Sequence, residues 1–102
     1  MLLITFEAKV TDADREAVLA MAQLAMSPTR AEPGCISYDV LVDVEDPNRI
    51  LWVEQWRDAR AFETHQRAPH IQQFLDEATP LIADTQLVIH TISASQEVTL
   101  PG

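Results

Sequence analysis

The most informative stretch of the sequence for the fold is "CISYDVLVDVEDPNRILWVEQW", residues 35–56. Both of its ends are rich in β-branched and aromatic residues, which favour extended strands. Between them lies the acidic, proline-containing run "EDPN" at 45–48, which is typical of a turn. The stretch therefore predicts a β-hairpin with strands at 35–44 and 49–56.

The faces of this hairpin follow from its register. If Val42 pairs with Leu51, side chains that alternate along each strand divide into two sets. One face is then apolar and consists of Ile36, Tyr38, Val40, Val42, Leu51 and Val53. The other face is mixed and consists of Ser37, Asp39, Leu41, Trp52, Glu54 and Trp56.

The flanking segments supply one strand on each side of the hairpin and the helices between them. Residues 2–10 alternate between apolar and polar side chains, which predicts a half-buried strand, and 85–93 predicts a last strand. A helix is expected from a cap at Thr11 or Asp12 to about Met26, and Pro28 should kink this helix or restart it as a short turn.

Two shorter helices are expected after the hairpin. Asp58 is a plausible N-cap for a helix to about His65, and Pro69 suits the first turn of a second one. Pro80 should end or bend that second helix. The polar tail from about residue 94 is expected to be either loose or exchanged with a partner subunit.

This order of elements predicts an α+β, ferredoxin-like split βαβ fold with a four-stranded antiparallel sheet and helices on one face. Residues 1–102 are expected to form a single domain. The apolar hairpin face would be too continuous for water. We therefore expect a homodimer joined through the sheet faces.

The charge of the chain excludes some partners. There are 16 acidic and 7 basic residues, for a formal net charge of −9, which disfavours nucleic acid and anionic membrane surfaces. The N-terminal segment shows neither a secretory leader nor a membrane span, so a cytoplasmic location is expected. A single cysteine, Cys35, excludes an internal disulfide.

Residues 30–74, "RAEPGCISYDVLVDVEDPNRILWVEQWRDARAFETHQRAPHIQQF", resemble the antibiotic biosynthesis monooxygenase (ABM) domain family. The resemblance is an ordered set of features: an acidic-Pro-Gly-Cys turn, a Tyr-bearing strand, an Asp-Pro turn, Glu-x-Trp, and a His followed by Pro-His. It implies a dimeric ferredoxin-like α+β barrel. It also implies oxygenation of quinols, electron-rich phenols or polycyclic anthrones by O2 without a cofactor, in a pocket between sheet and helices. Small bacterial quinol monooxygenases are the branch that it resembles most.

Such a reaction needs a proton acceptor, because the phenolate or quinolate anion gives up an electron far more easily than the neutral molecule. Glu54 is the leading candidate, since a carboxyl between two tryptophans on a covered face would have its pKa raised by burial. His65 and His70 are the other candidate catalytic residues. Each has a purely structural alternative: an ion pair or helix cap for Glu54, and contacts near helix ends for the histidines.

A flat aromatic substrate also needs walls, and aromatic side chains supply them at low entropic cost. The assumed register places Tyr38 on the dimer face, which makes it a weaker candidate oxyanion donor. The same aromatic residues could equally form the core. The candidate substrate-binding residues are Trp52, Trp56, Phe62 and Phe74.

No metal site is predicted, because the three histidines at 65, 70 and 90 lack an i, i+4 pair and a cysteine companion. No cofactor is expected either. The leading hypothesis is a cofactor-free monooxygenase whose partners are a small aromatic substrate and O2. The alternatives are a non-catalytic, small-ligand-binding dimer and an acid/base isomerase of a small carbonyl compound.

Overall fold

A computed structural model describes residues 1–101 of the chain. Within that range the sheet has the antiparallel order β2-β3-β1-β4, and the helices cover one of its faces. The fold is therefore the predicted α+β, ferredoxin-like split βαβ arrangement. Its elements are β1 (Leu2–Lys9), α1 (Arg15–Arg30), β2 (Cys35–Val42), β3 (Arg49–Trp56), α2 (Ala59–Arg67), α3 (Pro69–Ala78), a 3₁₀ helix (Thr79–Leu81) and β4 (Ala83–Thr91).

The first helix differs from its prediction at both ends. The carbonyl of Thr11 accepts the backbone N–H groups of Asp14 and Arg15 in a separate turn, so α1 has its N-cap at Asp14 and begins two to three residues later than expected. At the other end, α1 continues through Pro28 to Arg30. Pro28 has no backbone N–H, so the helix lacks only the hydrogen bond to the carbonyl of Leu24. Because Leu24 is largely exposed, water can donate to this carbonyl instead.

The hairpin register differs by one residue from the assumed one, because Val42 pairs with Ile50 and not with Leu51. The loop between the strands explains the difference. The side chain of Asp43 accepts the backbone N–H of Glu45 at 2.9 Å, and this local turn ends β2 at Val42.

A slip of one residue exchanges the two faces of β2 relative to β3. Tyr38 now pairs with Glu54 and is buried beneath the helices, so its predicted place on the open face was wrong. The open face instead carries Leu41, Leu51 and Val53, together with polar side chains of β2.

The core lies between the sheet and the helices. The apolar side of β1 is buried as predicted, with Ile4 and Ala8 inaccessible to solvent. Val18 and Ala22 of α1 are also buried there. The largest fully buried side chains of the core are Trp52 and Trp56 of β3, which makes this strand the centre of the packing.

The turn between α1 and β2 is held tightly against the end of β3. Gly34 has φ +84°, in the left-handed region that favours glycine, and a Cβ there would lie 2.6 Å from the Cβ of Ala61. The carbonyl of Gly34 accepts the backbone N–H of Arg57 at 2.8 Å. This contact fixes the position of the preceding residue pair, Glu32 and Pro33, relative to α2.

Among residues 1–101, none of the helices combines the length and the apolar character needed to cross a membrane.

Candidate active site

A cavity of about 140 Å³ lies between the sheet and helices α2 and α3. Its wall is mostly apolar, and the more exposed side chains Gln66, Leu75 and Leu87 stand at its rim. An apolar cavity with a few convergent polar groups is the usual form of a small-molecule site. Its lining residues are Phe6, Tyr38, Trp52, Glu54, Phe62, His65, Gln66, Ile71, Phe74, Leu75 and Leu87.

Aromatic rings form one wall of the cavity. The ring of Trp52 lies between Phe6, at a centroid distance of 5.2 Å, and Phe74, at 5.7 Å, with tilted planes in both pairs. These are favourable geometries for aromatic pairs. The wall is therefore well fixed, and it offers flat apolar surfaces to a bound ring.

Glu54 brings a carboxyl group into this apolar surrounding. The residue is buried, and the indole N–H of Trp56 donates to its Oε1 at 2.9 Å. Burial raises the pKa of Glu54 to about 7, although the Trp56 hydrogen bond opposes the shift. A carboxyl with this pKa can take up or release a proton near neutral pH.

His65 of α2 lies beside Glu54. Its Nε2 is 3.8 Å from Oε1 of Glu54, and its ring lies 4.5 Å from that of Trp56. Burial lowers the pKa of His65, so its neutral form is favoured. The indole ring of Trp56 at this distance would stabilise the imidazolium once His65 accepts a proton.

A second carboxylate, Glu32, lies on the far side of His65. Its Oε2 is 2.7 Å from Nδ1 of His65 and 3.0 Å from Nε2 of His70. The residue was not among the sequence candidates, although it is the acidic member of the Glu-Pro-Gly-Cys turn. It is 33 residues from His65, so no local spacing could connect the two.

The two histidines meet because α2 and α3 are separate helices. Asp58 caps α2 by accepting the N–H of Ala61 at 2.8 Å, and the cap holds the pKa of the Asp58 carboxyl below its usual range. Ala68 is extended, and Pro69 then starts α3. This break leaves the rings of His65 and His70 with centroids 6.3 Å apart.

Tyr38 adds a hydroxyl group to the cavity. Its ring meets that of His65 edge to face at 5.6 Å. Burial, followed by the charges of Glu54 and Glu32, raises the pKa of Tyr38. The hydroxyl therefore keeps its proton and can donate to an oxyanion. Tyr38 is a stronger candidate than the sequence indicated, because the assumed register was one residue out.

The candidate residues thus fall into two groups. Trp52, Glu54, Phe62, His65 and Phe74 line the cavity. Trp56 lies behind Glu54, and His70 lies beyond Glu32, so both are outside the lining. If these two act in a reaction, they do so through the residues that they contact.

Glu32, His65 and His70 offer ligand atoms within 4.8 Å of one another, a set that can hold a metal ion. Two ligands about 2.0–2.1 Å from a tetrahedral zinc are about 3.3 Å apart. The separations of 2.7 and 3.0 Å are those of hydrogen bonds. Hydrogen bonding therefore accounts for this arrangement, and we assign no ligand roles.

Comparisons with known proteins agree with this fold. Residues 1–77 match the family described as antibiotic biosynthesis monooxygenase. The Synechocystis protein "Uncharacterized protein sll1783" is 33% identical over 86% of this chain, which spans 60% of that protein's length. The Bacillus subtilis protein "Putative monooxygenase YcnE" is 30% identical over 89% of this chain and 96% of its own.

A solved structure from Deinococcus radiodurans, described as a "putative antibiotic biosynthesis monooxygenase", superposes with a TM-score of 0.87. The superposition covers all of both chains at 22% sequence identity. At this identity the likeness shows the fold alone. The family match over residues 1–77 carries the assignment, because it covers well over half of the chain. The protein belongs to the antibiotic biosynthesis monooxygenase family.

The burial of Glu54 predicts a pH-dependent stability. Because the pKa of Glu54 rises from 4.5 in the unfolded chain to about 7 in the folded one, only the folded state keeps this proton between those values. The free energy of unfolding of the wild type, relative to that of Glu54→Gln, should therefore fall by about 3 kcal/mol as pH rises from 4.5 to 7. Above pH 7 this difference should level off. Urea unfolding of both proteins at several pH values measures this difference.

The same change at the exposed Glu63 of α2 serves as the control, and its effect is subtracted. A difference between wild type and Glu54→Gln that stays constant from pH 4.5 to 8 would contradict the raised pKa.

Proposed function

We propose that the protein is a cofactor-independent monooxygenase that oxidises a single-ring, quinol-like phenol with O2. The main support is Glu54, a buried carboxyl with a pKa near 7, which faces an apolar cavity next to a neutral histidine. Family membership and the monooxygenase names of relatives support the reaction class. The cofactor independence and the phenolic substrate come from the family resemblance.

The volume of the cavity favours a single ring over a polycyclic anthrone. A protein cavity of roughly 150 Å³ is known to accept benzene. The cavity here is about 140 Å³, and the side chains of Trp52 and Phe74 limit its width. A second or third fused ring would have to extend past the rim at Leu75 and Leu87.

The first step is proton transfer from a substrate hydroxyl to the Glu54–His65 pair. His65 and Glu54 both line the cavity, and Nε2 of His65 is 3.8 Å from Oε1 of Glu54, so a substrate hydroxyl can lie within reach of either group. The hydroxyl of Tyr38 can then donate to the substrate oxyanion. Water is kept away by the apolar wall, which strengthens these interactions.

The substrate anion supplies all the electrons that reduce O2. One electron passes to O2, the resulting radicals combine at a ring carbon, and the hydroperoxide loses water. One oxygen atom stays on the ring and the other leaves as water, together with two hydrogens of the substrate. One molecule of hydroquinone and one of O2 thus give one hydroxybenzoquinone and one water, without a further reductant.

We also propose that two chains associate through the open faces of their sheets, and that the tail takes part. Leu41 is half exposed on this face, and Leu51 and Val53 are only partly covered within one chain. In the tail, the apolar side chains of Val98 and Leu100 are largely exposed. A second copy would cover both sets of apolar side chains.

Oxygen uptake tests the proposed activity. An electrode should record saturable O2 consumption when chelator-treated protein meets substituted hydroquinones, above a boiled control, with single-ring compounds preferred to anthrones. Glu54→Gln should lower kcat/KM by about 100-fold, because the variant can no longer exchange this proton. Glu63→Gln is the matched surface control and should leave the rate unchanged.

Equal rates for hydroquinones and anthrones would contradict the single-ring proposal. If neither class is consumed, the monooxygenase proposal fails. Oxygen-independent conversion of a carbonyl compound would then identify an isomerase, and saturable ligand binding without turnover would identify a binding protein.

Sedimentation velocity tests the proposed dimer. The wild type should sediment as a species of twice 11.4 kDa, and Val53→Lys should shift it to the monomer, because a charge would be buried at the centre of the interface. Thr64→Lys, on the exposed side of α2, should leave the dimer intact. Truncation after Ile92 should weaken association. A monomeric wild type would rule the dimer out.

A further inference from the structure

We propose that Glu32 is a positioning residue that holds His65 in the tautomer with its proton on Nδ1, leaving Nε2 free to accept a proton from the cavity. The inference rests on the proposed function, because it assigns the direction of proton transfer at that site. It gives a role to a nearly buried carboxylate that is not among the residues lining the cavity.

The hydrogen-bonding capacity of the groups decides where the proton of His65 lies. A carboxylate only accepts hydrogen bonds, and a neutral imidazole has one N–H. Nδ1 of His65 is 2.7 Å from Oε2 of Glu32, whereas its Nε2 is 3.8 Å from the nearest oxygen of Glu54. The single proton of neutral His65 is therefore placed on Nδ1, where an acceptor lies at hydrogen-bond distance.

Glu32 is itself held in place by its neighbours. The same Oε2 accepts from Nε2 of His70 at 3.0 Å. The backbone turn also fixes the residue, since the N–H of Glu32 donates to the carbonyl of Thr29 at 3.0 Å and its carbonyl accepts the N–H of Cys35 at 3.1 Å. His70 thereby orients the carboxylate that orients His65.

The charge of Glu32 also favours the protonated state of His65. When Nε2 of His65 accepts a substrate proton, the ring becomes an imidazolium with Nδ1–H donating to Glu32. A carboxylate in this position stabilises the cation and makes the histidine a stronger base, as the buried aspartate does in the Ser-His-Asp triad. The proton balance is complete: the substrate loses one proton, Nε2 gains it, and the Nδ1 proton stays in place.

The polar groups around His65 come from four segments of the fold. One carboxylate, that of Glu32, opposes the lowering of the His65 pKa by burial, and the nearby imidazole of His70 adds to the lowering. A second carboxylate and a hydroxyl complete the surroundings. These groups are Glu32 in the turn after α1, Tyr38 of β2, Glu54 of β3 and His70 of α3.

The test is a ¹⁵N–¹H NMR experiment on the full chain labelled with ¹⁵N-histidine, recorded without substrate. At pH 8 the wild type should show His65 protonated on Nδ1 and bare on Nε2. In Glu32→Gln, loss of the negative charge should lower the pKa of His65 by about one unit. Glu32→Ala, which removes the acceptor, should give a mixture of tautomers. Glu63→Gln should leave the His65 spectrum unchanged.

A wild-type His65 that is protonated on Nε2 would overturn the proposal. A His65 pKa that does not change in Glu32→Gln, together with a tautomer that does not change in Glu32→Ala, would also overturn it. His65 signals that shift when a chelator is added would overturn it too, since such a shift would indicate metal ligation. Because no substrate is needed, this result is independent of whether the protein consumes O2.

If the protein does consume O2, kinetics supply a second readout. Glu32→Gln should reduce kcat by about tenfold or more with little change in KM, and the pH at which kcat/KM rises should fall together with the pKa of His65. A loss that appears only as reduced stability, with an unchanged pH profile per folded molecule, would show that Glu32 is structural.

Discussion

The burial of one carboxyl group, that of Glu54, is the constraint on which the rest of the site depends. An acid in an apolar surrounding either loses its charge or requires partners, and here both occur. The indole N–H of Trp56 satisfies one oxygen, and burial moves the pKa to about 7. The aromatic wall that makes Glu54 costly to bury also makes the cavity suited to a flat, apolar ring.

The site is assembled from segments that are distant in the sequence, and each segment is placed by a local rule. The alternation of β3 sends Trp52 and Glu54 to the same face. The cap at Asp58 and the proline at 69 divide the following chain into two helices, so His65 and His70 face the same carboxylate. The proposed chemistry thus follows from strand and helix geometry combined with one tight turn at Gly34.

Several parts of the fold that depend on neighbouring residues were predicted correctly from the sequence. The alternation of β1, the cap at Asp58 and the helix start at Pro69 are local signals, and the structure has each of them. The face of β2 was predicted wrongly, because the loop turn at Asp43 shortens the strand and changes the pairing by one. Because of this one-residue difference in register, Tyr38 lies at the cavity and not on the open face where it was predicted.

Glu32 shows the other limit of sequence reasoning. Its contacts with His65 and His70 join residues 33 and 38 positions apart, and only the packing of the turn against α2 brings them together. The most direct test of the buried, proton-exchanging carboxyl is the titration of the Glu54 carboxyl carbon by ¹³C NMR, assigned with Glu54→Gln. The midpoint should lie near pH 7. A midpoint near 4.5, the ordinary value for a glutamate, would contradict this prediction.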